Sequence, residues 1–173
     1  MSFKGSSYRL KAPPDMDFHT FFHVVDNTTR NCLSRQLPTA PANLYLYSSK
    51  DQIITVYELT FCNGGTTHAL NQFIEENLHD YHTIAAEAWC ARNEYLPEYQ
   101  YGDTFKLPIG KKKETLIVDG QTNDGKLRRS ILYDIIRARV GDDSSQVLRF
   151  EKITDSEDGS VFLRNMELGG EIR

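Results

Sequence analysis

TLIVDGQTNDGKLRRSILYDIIRARV, residues 115–140, decides the fold. Thr115 to Val118 is a β-branched and aliphatic run, Asn123-Asp124-Gly125 is turn material, and Leu127 to Val140 is a second strand-like run. Asp-Gly between two such runs marks a hairpin, because glycine reaches the positive φ of a tight turn without a Cβ clash. The pattern continues downstream. Gly141-Asp142-Asp143 precedes a strand over Gln146 to Ile153, and Asp158-Gly159 precedes another over Val161 to Leu168. Together these segments read as a C-terminal meander. Helical spacing over 131–136 is an alternative that propensity leaves open.

Upstream, Leu44 to Tyr47 and Ile53 to Cys62 form a hairpin around Ser48-Ser49-Lys50-Asp51. Ile53, Tyr57, Leu59 and Phe61 share one face of the longer strand and Ile54 and Val56 the other, so both of its faces call for cover. Met16 to about Leu37 is helical by spacing: Phe18, Phe21, Phe22, Val25, Cys32 and Leu33 fall on one side. His19, His23, Asp26 and Arg30 lie along its flank and polar side. Asp15 or Asp17 supplies the N-cap, and Pro38 stops the helix.

A second helix, capped by Thr66 or Thr67, carries Leu70, Phe73, Ile74, Leu78 and Tyr81 at i, i+3, i+4 spacing. Residues 82–92 read as a strand or as a continuation of that helix, and the length of the joined helix tips the choice to a strand. Residues 1–14 form a lead-in segment and 93–113 a long polar loop. The expectation is one α+β domain over 1–173: a mostly antiparallel sheet, hairpin plus C-terminal meander, with two helices packed on one face.

Composition narrows the function classes. A hydrophobic share of 39% and a charged share of 25% are those of a folding chain. The net charge of −4 is evenly spread, with 7 Lys+Arg against 9 Asp+Glu in residues 1–93 and 13 against 15 in residues 94–173. A nucleic-acid reader normally carries a basic excess, so nucleic acid is a disfavoured partner. Cys32, Cys62 and Cys90 are isolated and odd in number, which fits neither a disulfide framework nor a structural zinc site. No apolar run is long enough to span a bilayer, and the N-terminal residues lack the apolar core of a secretory signal, so a cytoplasmic protein is expected.

Three constellations bear on chemistry. His19 and His23 stand four apart with Asp26 a turn further on, a geometry that a divalent transition metal can use, and His79 and His82 could add ligands. The competing reading leaves these histidines in water or on neighbouring carbonyls, since the H-E-x-x-H signature is absent. Glu87, among alanines and beside Trp89, could be buried, raised in pKa and able to serve as a general acid or base. Lys111–Lys113, Arg128, Arg129, Arg137, Arg139, Arg149 and Lys152 cluster in sequence, but interleaved acids point to a solvated, cross-paired strand face.

Two functions follow. The first is a protein-binding domain, an accessory or inhibitor without catalytic activity, whose contacts are Tyr95, Tyr99 and Tyr101 of the long loop and whose partner is another protein or a second copy. The second is a metal-assisted hydrolase built on His19, His23, Asp26, His79, His82 and Glu87.

Overall fold

Alternating apolar residues make the meander a set of strands, and its neighbours complete one sheet. The computed structural model describes residues 7–35, 42–59, 67–91, 112–140 and 143–157. Its elements, in chain order, are β1 (Ser7–Lys11), α1 (Phe18–Ser34), β2 (Ala42–Ser48), β3 (Ile53–Leu59), α2 (Thr67–Glu76), β4 (Tyr81–Ala91), β5 (Lys112–Thr122), β6 (Arg128–Val140) and β7 (Asp143–Ser156). Among the described residues the seven strands form one sheet in the order β1-β3-β2-β4-β5-β6-β7, every neighbouring pair antiparallel. The expected α+β class with a meandering antiparallel sheet is what the chain adopts. Residues 82–91 lie in β4 and 131–136 in β6, so the strand alternative holds at both places.

Two boundaries differ from expectation. The lead-in segment contains β1, where Tyr8 and Leu10 alternate with Arg9 and Lys11. α2 ends at Glu76, and the chain between it and β4 is a tight loop. The strand expected over Val161 to Leu168 lies outside the described residues, as does most of the loop over 93–113.

The helices do not share a face, which corrects the expectation. Phe18, Phe21, Phe22, Val25 and Leu33 of α1 pack with Tyr45, Tyr47, Ile54, Val56, Ala85, Leu116, Val118, Ile131 and Tyr133. Leu70 and Ile74 of α2 pack with Ala42, Leu44, Leu46, Leu59, Ile84, Ala86 and Ile117. On each strand the two sets alternate, so they occupy opposite faces. Topology explains why. β1-α1-β2 and β3-α2-β4 are both crossovers between parallel strands with one strand left between them, and both step the same way across the sheet. They start on antiparallel strands, so two right-handed crossovers must put their helices on opposite sides.

α1 starts where Asp17 Oδ1 accepts from the Thr20 amide at 2.7 Å, the N-cap that an Asp side chain is built to supply. Its three phenylalanines are each 2% exposed or less, and each contributes roughly 2–3 kcal/mol by burial. Phe22 lies directly on Gly120 of β5. A Cβ at position 120 would sit 2.6 Å from Thr83 Oγ1, 2.9 Å from Phe22 Cδ2 and 3.1 Å from the His82 carbonyl. Gly120→Ala should therefore overpack the seam between α1 and the sheet and cost about 2 kcal/mol, read as a lower midpoint with unchanged slope in urea unfolding.

Candidate functional site

At one end of the sheet three connections meet: the β2–β3 turn, the α2–β4 loop over 77–80, and the β5–β6 turn. Asp80 ties them together. Its amide donates to the Tyr47 carbonyl at 2.7 Å, its carbonyl accepts from the Asn123 amide at 2.8 Å, and its Oδ2 accepts from the Ser49 amide at 2.7 Å. Asn77 closes α2, its amide donating to Ile74 O at 3.3 Å and its Nδ2 to Phe73 O at 2.6 Å. In the β5–β6 turn Gly125 takes φ 73°, and Asp124 Oδ1 accepts from Thr122 Oγ1 at 2.6 Å and the Lys126 amide at 3.0 Å. These bonds fix the backbone of the whole end.

The rigid loop over 77–80 holds two opposite kinds of side chain. Leu78 points outward and is 98% exposed, and Leu127 on the neighbouring turn is 46% exposed. Lys50, Asp51, Asp80, Asp124 and Lys126, on the same three connections, are exposed as well. Inward, His79 and His82 are 8% and 7% exposed. His79 Nδ1 lies 2.6 Å from the Asn77 carbonyl and His79 Nε2 lies 3.1 Å from His82 Nδ1. Burial, then His79, then Arg128 hold the His82 imidazole down at about 3, so it stays neutral at physiological pH. Arg128 shares that face through the cross-strand row His82–Gln121–Arg128, and its Nε is buried without a hydrogen-bond acceptor among the described residues.

The other expected ligands are elsewhere. His19 and His23 are exposed on α1, across the sheet from His79 and His82; His19 lies edge-on to Phe18, and His23 Nε2 is 3.0 Å from Asn27 Nδ2. Asp26 is not on a polar flank. It is 4% exposed and accepts from Arg30 through both oxygens at 3.0 Å and from Tyr133 Oη at 2.9 Å. Among the described residues no three His, Cys, Asp or Glu side chains gather as a metal site. The five residues expected to share one metal are divided by the sheet.

Glu87 sits on the α1 face, half-buried, in one cross-strand row with Leu116 and Tyr133. Burial raises its carboxyl pKa, Arg137 opposes the rise and Glu114 adds to it, and Arg137 itself donates to Glu114 at 2.9 Å. Four other members of the basic cluster are paired in the same manner: Arg129 and Lys152 with Asp155, Lys113 with Asp134, and Arg149 with Glu151. Tyr95, Tyr99 and Tyr101 lie outside the described residues. Sequence reasoning missed Leu78 as a surface residue, since its spacing placed it in the apolar stripe of a longer helix. The signal that separates the two readings is Asn77, which ends the helix by bonding back to it. No protein-family model, curated protein or solved structure matches this chain, so its function is read from the geometry above.

Proposed function

We propose that the protein is a binding domain for another protein and that it docks through the turn end of its sheet. The observation that carries this reading is Leu78, fully exposed on a loop whose backbone is locked on both sides. A single exposed leucine on a surface is ordinary. One held rigid, with a second exposed leucine on the adjoining turn and exposed charges on the same three connections, suits an apolar anchor within a polar rim. Rigidity matters because little conformational entropy is left to lose on docking. The matching partner surface is an apolar pocket edged by charges of both signs.

The test separates docking from folding. Leu78 makes almost no contact with its own protein, so Leu78→Asp should change stability by no more than about 0.5 kcal/mol. A photo-crosslinking residue placed at 78 in the full chain should give one discrete partner adduct in native extract, and Leu127→Asp should abolish it. The same probe at exposed Val24, on α1, should give none. Equal labelling from both positions, or none from 78, would refute the reading.

A further inference from the structure

The buried histidine pair supports a second role, independent of docking. The Asn77 carbonyl can only accept, so His79 Nδ1 carries a proton, and in the neutral ring His79 Nε2 then holds a lone pair. The single hydrogen between the rings then belongs to His82 Nδ1. Moving it to His82 Nε2 is a change of tautomer with no change of charge, and it leaves His82 Nδ1 with a lone pair facing that of His79 Nε2, so that a tilt of the two rings brings both onto one ion. We propose that His79 Nε2 and His82 Nδ1 together chelate one first-row divalent cation of the zinc type, with water completing its coordination.

Geometry and surroundings support the assignment. Two bonds of about 2.05 Å reaching nitrogens 3.1 Å apart meet at ~100°, close to the tetrahedral angle that zinc prefers. Imidazole nitrogens suit zinc, nickel and copper. The His79 Nδ1–H bond to a backbone carbonyl is the outer-shell contact that fixes a ligating histidine. The backbone that carries both rings is held before any ion arrives, that of His79 by the loop that Asn77 and Asp80 lock and that of His82 by its place in β4. Among the described residues no third protein ligand joins them, so this is a two-histidine site. Arg128, whose charge bears on His82 across the row, opposes the cation. That opposition gives the test its sign.

The experiment uses the full chain without a histidine tag, stripped with chelator, desalted and titrated with zinc chloride by calorimetry and thermal unfolding. One zinc per chain should bind, and a hundredfold excess over the Kd should raise Tm by about 5–10 °C. His79→Gln and His82→Gln should each lose the rise. His19→Ala/His23→Ala should keep it, and Arg128→Gln should bind zinc several-fold more tightly. Should a buried substitution fail to fold, copper(II) bound to the unmodified protein should show hyperfine coupling to two nitrogens, lost on adding excess zinc. No Tm rise would overturn the proposal. So would a rise that survives His82→Gln and vanishes in His19→Ala/His23→Ala, which would place the ion on α1.

Discussion

Asp26→Ala lowers the stability of the fold by about 3 kcal/mol, read as a fall in Tm of roughly 6–12 °C. The carboxylate is buried and joins α1 to β6: Arg30 Nε and Nη2 donate to its two oxygens at 3.0 Å, and Tyr133 Oη donates at 2.9 Å. Arg30 also lies over the Tyr133 ring, 5.1 Å from its centroid. Removing the carboxylate leaves a buried phenol hydroxyl and a guanidinium without their common acceptor, and the orphaned groups set the cost. The Arg30 side chain is 31% exposed and can turn partly to water, so the loss falls at the low end for a broken buried pair.

The source of the energy can be checked within the same series. Tyr133→Phe removes one donor while Arg30 still satisfies Asp26, and should cost only about 1 kcal/mol. The triple change Asp26→Leu/Arg30→Met/Tyr133→Phe leaves no orphan and should cost less than Asp26→Ala alone. A loss under about 1 kcal/mol for Asp26→Ala in urea unfolding would mean that the network contributes little.

Asp26 also shows where the sequence stops being legible. Spacing placed Phe18, Phe21, Phe22, Val25 and Leu33 on the inward side of α1, and all five are buried there. Asp26 follows Val25 in a stretch that turns polar, and its buried partner is 107 residues away on β6. Nothing local announces a hydroxyl at that distance. The strands were readable for a related reason: β-branched or aromatic runs and the turn residues between them are local signals, and β2, β3, β5, β6 and β7 carry them. The place of β4 between β2 and β5 is non-local, and so is the division of the helices between two faces. That division was half visible in β3, whose apolar residues face both ways.

The candidate site divides along the same line. His79 and His82 could be picked out as a pair three residues apart, but their burial depends on α2 ending at Glu76, one turn before the apolar spacing ends. Asn77 hydrogen-bonds back to that last turn and lets the chain reverse. Leu78 is then turned out to water and His79 turned in. A one-turn error in a helix end exchanges the surface and the interior of this loop.

Metal-free protein should lose about 2 kcal/mol of stability through His82 alone between pH 7.5 and pH 5, and about 3 kcal/mol by pH 4. Burial, the adjacent His79 and the charge of Arg128 lower its folded-state pKa to about 3, against 6.5 for a free imidazole. The unfolded chain therefore takes up a proton below pH 6.5 that the folded chain refuses. Stability is fully present above 6.5, falls as the pH drops toward 3, and levels off below that. Most carboxylates titrate below pH 5, so the interval is one of histidine titration, and subtracting a variant that lacks only His82 sets aside the other four histidines. His82→Gln keeps a polar partner for His79 and does not titrate. The difference in unfolding free energy between the unmodified protein and this variant, measured with chelator present, should shrink by about 2 kcal/mol from pH 7.5 to pH 5. A difference that stays constant would mean that the folded protein protonates His82 as readily as the unfolded chain does, through a rearrangement that brings water to the pair.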